Sequence, residues 1–549
     1  MLAWPLALRW TLVAVSGAVL GWAGSQPLGW PLALLALWVW WLAAHAAPRH
    51  VGALFLAGAW AWGAVGLSWV GLSVRADADG RWAWMTLAWL ATSLHFAACL
   101  ALPWALARWA LRRATLPLQA GWAGAFSLVA AEVLQRQGWF GHGYGGLAAA
   151  LVDLPGAAAL LHWGGAPLLT AWAGGLTGLA LAAALSMFGT TDQTGLPAAA
   201  RRPARWATLW VLMLVGPAGW QWLGHGPGLA DESSPALVSP GRAGLAQAEA
   251  APGTALPLTL VQAQLDKAGD WTAERRDAQL DLLADAVRRT APGGVVIGPE
   301  GYFPEAPPRV PEGRWAELLQ QAADAEVDLV LGMPFGWQAG DGQAPGLLNA
   351  VVQVSQQRLS VAGKARLVPF AEYLPWPEAL GFVYRRVFQT LQGEMPAPPA
   401  LLQPLGVQGT RVVAVVCHDL AFGARLAARA AAADWVLVLA EDGWIGRADY
   451  LAQMVAMTRL RAMETGKTVV RVANRGATLV VGPTGRVQAM APAGAAGWVG
   501  VALAWSGRSS FFAEQAGWLA GGPAALMAGL TLVLSAGLRR RGRLAQEVT

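Results

Sequence analysis

Two hydrophobic patterns divide the chain. From residue 1 to about 225, apolar residues run in long stretches with few interrupting charges, each near the ~20 residues that cross a hydrocarbon core. From 256 to about 512, short apolar runs alternate with polar, helix-periodic stretches at ordinary charge density. A last apolar stretch, Ala516 to Leu538, ends in Arg539-Arg-Arg-Gly-Arg543. The first pattern predicts membrane helices near 8–24, 28–46, 50–73, 82–107, 119–135, 165–188, 204–223 and 516–537. The second predicts strands near 256–262, 294–297, 328–331, 350–354, 411–416, 435–439, 468–472 and 478–481. Polar helices are expected over 273–289, 314–325 and 450–465. Such alternation of strand and helix indicates a layered α/β domain.

The expected organisation is therefore a transmembrane bundle of about seven helices over 1–225, a linker over 226–255, a soluble domain over 256–512, and a final membrane helix with a basic tail over 513–549. The linker reading rests on Gly, Pro, Ser and Ala without clear periodicity. Composition supports the membrane half. The chain is 55% hydrophobic and only 13% charged, where a soluble domain carries about 25% charged residues. Its 32 Trp read as interfacial anchors and helix packing. The net charge of +6 does not point to nucleic acid, because the arginines collect at the ends of apolar segments. Two cysteines cannot build a disulfide framework, and no CxxC or His-rich cluster suggests a metal. Cys99, inside an apolar segment, reads as a membrane-helix residue.

The connections between apolar segments alternate in basic content. Gly24 to Pro27 has none, whereas Arg49 and His50 follow the second segment. Arg75 and Arg81 are balanced by Asp77 and Asp79, and the next connection carries Arg108, Arg112 and Arg113. Gln135 to Pro155 carries only Arg136, and Arg201, Arg202 and Arg205 precede the seventh segment. Basic loops stay in the cytoplasm, so both termini are expected inside and the soluble domain outside. In a bacterium with two membranes that means the inner membrane, with the domain periplasmic. A signal-peptide reading of the first segment, with cleavage near Ala23, is set aside because another long apolar stretch begins a few residues later.

Three segments of the soluble region carry candidate chemistry. Arg411-Val-Val-Ala-Val-Val-Cys417-His-Asp419 reads as a buried strand that ends in a cysteine. A core cysteine would look the same. Gly294-Val-Val-Ile-Gly-Pro-Glu300 brings a glutamate out at a strand end, because Gly-Pro halts the strand. Val361-Ala-Gly-Lys364-Ala-Arg-Leu-Val-Pro-Phe-Ala-Glu372 places a lysine and a glutamate in a largely apolar segment. Taken singly, each charge is ordinary surface or ion-pair material. Together they make chemical sense. A thiol is only a few per cent thiolate at neutral pH and needs a nearby base or cation. A carboxylate takes its proton, and an ammonium stabilises the oxyanion of the tetrahedral intermediate.

The order Pro299-Glu300, then Gly363-Lys364 with Leu367-Val-Pro-Phe-Ala-Glu372-Tyr-Leu-Pro375, then a strand ending in Cys417, resembles the nitrilase (carbon–nitrogen hydrolase) superfamily. A domain of this kind inserted before the last helix of a membrane bundle resembles one of its families, the apolipoprotein N-acyltransferases. The resemblance implies an α-β-β-α sandwich, no cofactor, and a catalytic triad of Glu300 as base, Lys364 as oxyanion cation and Cys417 as nucleophile. It implies a supporting second glutamate at Glu372, and Trp271 and Trp444 fall near family tryptophans that would contact substrate. Asp419 is expected in support, shaping the entrance. The segment Arg459 to Lys467 and Asn474 match the helix and strand that follow. The implied reaction moves a fatty acyl group from a phospholipid, through a Cys417 thioester, to the terminal amine of a diacylglyceryl-cysteine lipoprotein.

Three positions depart from the family pattern. Cys417-His-Asp419 stands in place of Cys-Tyr-Glu, Gly298-Pro-Glu300 in place of Trp-Pro-Glu, and Gly138-Trp-Phe-Gly-His-Gly-Tyr-Gly-Gly146 in place of Gly-Phe-Pro-Trp. A membrane-anchored amidase, a divergent paralogue acylating another amine, and a non-catalytic membrane scaffold stay open as alternatives.

Overall fold

The structure is a computed structural model that describes residues 4–46, 49–73, 81–137, 141–188, parts of 209–219, 236–237, 246–247, 255–264, 271–307, 312–338, 346–356, 358–369, 371–373, 376, 378, 381, 394–443, 445–491, 496–505 and 507–547. Two compact units are formed. One comprises Met1–Gly71, Trp82–Gly228 and Gln515–Thr549, and the other comprises Leu72–Arg81 and Leu229–Glu514.

The first unit is helical. Its main helices are Leu6–Ala23, Trp30–His45, Val51–Gly66, Arg81–Ala110, Leu116–Leu134, Ala157–Phe188 and Gly522–Glu547. Among the described residues, four apolar spans are long enough to cross a membrane: Leu6–Ala23, Trp82–Ala110, Ala157–Ala184 and Gly522–Arg540. Trp30–His45, Val51–Gly66 and Leu118–Leu134 are shorter apolar helices. The expected helix over 204–223 lies largely outside the described residues, although 215–219 are helical. Large apolar side chains such as Trp82, Leu102, Leu106, Leu532 and Val533 point outward, as a lipid-facing surface requires. Helix contacts inside use small residues: a Cβ on Gly17 would lie 2.2 Å from the Gly58 carbonyl oxygen, so only glycine permits this approach of the first and third helices. The helix expected to begin at 165 begins instead at Ala157. Gly165, at φ 64°, followed by Pro167, breaks it internally.

Among the described residues, the second unit holds two seven-stranded sheets. In chain order the strands are β1 (Ala236–Leu237), β2 (Ala246–Gln247), β3 (Leu256–Gln262), β4 (Val295–Ile297), β5 (Asp328–Trp337), β6 (Gly346–Ser355), β7 (Arg358–Gly363), β8 (Leu405–Val407), β9 (Thr410–Val416), β10 (Trp435–Glu441), β11 (Val469–Asn474), β12 (Leu479–Val481), β13 (Val487–Met490) and β14 (Gly497–Leu503). One sheet has the order β1-β13-β12-β11-β10-β9-β8 and the other β2-β14-β3-β4-β5-β6-β7. The stretch expected as a linker thus supplies an edge strand to each sheet. β1 pairs with β13 and β2 with β14.

The sheets face each other. Leu258, Leu260, Val295 and Ile297 of one pack with Val412, Ala414, Val416, Leu437 and Leu439 of the other. Outside the second sheet lie helices Ala273–Arg289 and Gly313–Asp324, whose Leu283, Val287, Leu318 and Leu319 bury against Val261, Val296, Leu329 and Leu331. Helices Gly423–Ala430 and Ala448–Thr465 pack on the sheet that contains β9. The unit is an α-β-β-α sandwich. β9 and β10 therefore bury both faces, which explains their unbroken apolar runs. Each fully buried Val or Leu contributes about 1.5–3 kcal/mol.

Candidate active site

The site assembles where three strands end. β9 delivers Cys417, which turns sharply at φ 46° to open the 3-10 turn Cys417–Ala421. A non-glycine residue in this left-handed region is strained by about 1–3 kcal/mol, so the surroundings must hold it. They do so through Asp419. Its carboxylate accepts the amide hydrogens of Val416 (3.2 Å), Ala365 (3.2 Å) and Arg366 (2.8 Å). Asp419 is buried. Three backbone donors converge on it, so it ties the cysteine turn to the segment after Lys364. Burial pushes its carboxyl up, and Lys364 and these amides oppose that shift.

β4 delivers Glu300. Gly298 N–H still pairs with the Val330 carbonyl, after which Pro299 ends the strand and Gly332 N–H bonds the Pro299 carbonyl. A Cβ on Gly332 would lie 2.5 Å from Glu300 Cα, so the close approach of this turn to β5 requires glycine. Glu300 is buried, and its Oε1 accepts from Asn349 Nδ2 at 2.8 Å and from Lys364 Nζ at 3.2 Å.

β7 delivers Lys364, which is wholly buried. Its N–H donates to the Asn349 carbonyl and its carbonyl accepts from Ala397 N–H, both at 2.8 Å. Its ammonium donates to Glu300 and, through a short contact, to Glu372. The other Glu372 oxygen accepts the Val368 N–H at 2.8 Å. Burial alone would lower the lysine, but Glu300 and Glu372, with Cys417 nearby, hold it protonated well above the ordinary range. Burial likewise pushes Glu372 up, against the pull of Lys364. For Cys417, burial and the Glu300 charge push the thiol well above its usual value, and the Lys364 cation only partly offsets them. The resting sulfur is a thiol beside a carboxylate and an ammonium. This arrangement suits nucleophilic attack with proton transfer in the same step.

Sequence reasoning passed over several residues here. Asn349 of β6 contacts Glu300 with its side chain and Lys364 with its backbone; nothing in Leu348-Asn-Ala350 announces that role. Beyond β10, Asp442 receives both terminal nitrogens of Arg471 at 2.8 Å and the Tyr450 hydroxyl at 3.1 Å. This buried ion pair lies within electrostatic range of Cys417. Asn474 Nδ2 donates to Glu441 at 2.7 Å. Trp271 packs edge-on against Phe303, with ring centroids 6.0 Å apart, in the layer between sheet and helices. Trp444 lies outside the described residues.

The comparisons with known proteins agree with this architecture. Residues 258–506 match the carbon–nitrogen hydrolase family. Over 496 residues the chain is 30% identical to an apolipoprotein N-acyltransferase of Azotobacter vinelandii, covering 89% of this chain and 87% of that one. The chain belongs to the apolipoprotein N-acyltransferase family. It is also 26% identical over 475 residues to the Pseudomonas syringae protein of that name, covering 84% of each, and 26% identical over 495 residues to one from Pseudomonas aeruginosa. Membership extends across the membrane spans and the sandwich alike, so this is a membrane-associated N-acyltransferase with a carbon–nitrogen hydrolase domain. The family, and the α-β-β-α fold that the motifs implied, both stand.

Proposed function

We propose that the chain moves a fatty acyl group from a phospholipid to the N-terminal amine of a diacylglyceryl-cysteine lipoprotein, through a thioester on Cys417. One observation carries the reading. A carboxylate bonded to a buried ammonium sits in electrostatic range of the only cysteine of this domain, in a chain similar along most of its length to proteins named for this transfer.

In the first half-reaction Cys417 Sγ attacks the ester carbonyl while Glu300 takes the thiol proton. The Lys364 ammonium faces the charge that develops on the carbonyl oxygen. Collapse breaks the ester C–O bond, the proton passes from Glu300 to the departing lysophospholipid oxygen, and the S–C bond remains. In the second, the acceptor amine attacks the thioester, Glu300 accepts the amine proton, the C–S bond breaks, and the thiolate is reprotonated. Glu372 is the second carboxylate that anchors the Lys364 ammonium. Ester and thioester are already activated acyl groups, so the scheme calls for no cofactor.

The basic connections between the apolar segments support an inner-membrane protein with both termini cytoplasmic and the sandwich periplasmic. A cysteine introduced at Ser234 should then react with an impermeant maleimide in intact spheroplasts, and labelling only after lysis would reverse the orientation.

Labelled phospholipid tests the chemistry. Denaturing quench should trap label on Cys417 that passes to a lipopeptide on a chase, and Cys417→Ala should trap none. Release of free fatty acid or ammonia without transfer would assign a hydrolase, and neither event a scaffold.

A further inference from the structure

A cationic feature beside the cysteine turn has no part in the mechanism above. Arg366 lies two residues beyond Lys364, and its guanidinium carbon sits 5.0 Å from the centroid of the Phe422 ring. Phe422 is five residues beyond Cys417, and its ring also meets His418 edge-on at 5.1 Å. The guanidinium is thus held on an aromatic platform belonging to the nucleophile's own turn. Arg366 Nε is buried and has no hydrogen-bond partner among the described residues.

The charges around it are unbalanced. Arg425, in the first turn of the helix after Phe422, is close enough to disfavour the Arg366 cation, as burial does first, while Tyr373 and Asp419 favour it. Asp419 is the nearby carboxylate, yet its oxygens already accept three backbone amides. Among the described residues neither arginine forms an ion pair. Two guanidinium groups held near one another without a partnered carboxylate form an anion site. A planar fork of donors fits a phosphate oxygen pair more closely than an ammonium would.

We infer that Arg366, with Arg425 beside it, binds the phosphodiester of the acyl donor while Cys417 is being acylated. This inference rests on the transferase reading and deepens it. A phospholipid carries a phosphate near its ester carbonyls, whereas the diacylglyceryl-cysteine acceptor carries none. The pair therefore acts in the first half-reaction and is idle in the second. It also selects the donor: a neutral diacylglycerol presents the same esters without the anion.

The experiment uses the full-length protein in mixed micelles and measures the two half-reactions separately. Arg366→Gln should slow thioester formation from labelled phosphatidylethanolamine about 10- to 100-fold, the size expected for losing hydrogen bonds to a charged group. Arg425→Gln should slow it less, and Arg366→Lys should recover part of the rate. Transfer from preformed thioester to a lipopeptide should be unaffected by Arg366→Gln. With labelled diacylglycerol as donor, wild type should be as slow as Arg366→Gln, and the substitution should cost nothing further. An equal loss with both donors would make Arg366 merely structural and overturn the inference. Inhibition by inorganic phosphate, without any preference for phospholipid over diacylglycerol, would assign the pair to a free anion and overturn it as well. A wild-type protein that forms no thioester from any lipid would fail the transferase reading itself. Normal thioester formation by Arg366→Gln would fail only the phosphate site.

Discussion

The Asp419 carboxylate accepts the amide hydrogen of Arg366 at 2.8 Å and thereby fastens the turn of Cys417 to the segment that follows Lys364. Two stretches more than fifty residues apart in sequence are set against each other by one buried side chain. Asp419→Asn is the sharp test. It keeps size and shape but replaces one acceptor oxygen with an NH2 group that faces backbone donors. Loss of these bonds costs about 1–3 kcal/mol, so the melting temperature should fall. Thioester formation should fall more than lipid binding does, and unchanged turnover would remove Asp419 from the support of the site.

Lys364 neutralises the buried Glu300 carboxylate and the partly buried one of Glu372. Lys364→Met leaves Glu300 and Glu372 facing one another without a cation, and removing one partner from such a cluster costs about 3–5 kcal/mol. The variant should lose activity and unfold at lower denaturant in detergent. Adding Glu372→Gln should restore part of the stability but no activity. Recovery of turnover by the double variant would show that Lys364 acts only as a structural counter-ion.

Glu300 is the carboxylate that bonds Lys364 and accepts from Asn349. Glu300→Gln keeps an acceptor for Lys364 but cannot take a proton, and general-base catalysis is worth about 10²–10⁴-fold. Single-turnover acylation should slow by that factor. Asn349→Leu, which leaves the base in place but frees its carboxylate to rotate, should slow acylation by about tenfold, the worth of one hydrogen bond to a charged group.

The thiol of Cys417 is pushed above its ordinary value of 9.0 by burial and by Glu300. In the folded state it keeps its proton at pH values where the unfolded thiol has lost it. Its contribution to stability is therefore whole below pH 9.0 and declines as pH rises through that value toward the folded one. Lys364, also raised, is likewise whole below its ordinary 10.5 and declines above it. Melting in detergent should show stability falling from pH 9 upward, and Cys417→Ser should remove the first part of that decline. A wild-type curve that is flat from pH 8 to 10 would contradict the raised thiol.

Particular elements show what a linear reading reaches. β3 and the helix Ala273–Arg289 were legible to the residue, because one is a dense apolar run and the other is amphipathic with a Thr272 cap. β7 and β14 were not. Arg358-Leu-Ser-Val-Ala-Gly363 is polar at its start, and Gly497-Trp-Val-Gly-Val-Ala-Leu503 is broken by glycine, so each is a strand by virtue of the neighbour it pairs with. The helix Gly423–Ala430 lay hidden in an alanine-rich run whose periodicity is carried by few large residues.

The sequence alone determined the division into apolar spans and a layered α/β domain, because burial on one or both faces is written into the spacing of apolar residues. It also determined that strands end at Glu300 and Cys417, because Gly-Pro and the end of a β-branched run mark where those two strands stop. Only the tertiary structure decided what surrounds those ends. The Asn349 bonds to Glu300 and Lys364, the Asp442–Arg471 pair in electrostatic range of the sulfur, Asp419 as a clamp and Arg366 on Phe422 are contacts between distant segments. Their chemistry depends on distance and orientation, and neither quantity leaves a periodic trace along the chain.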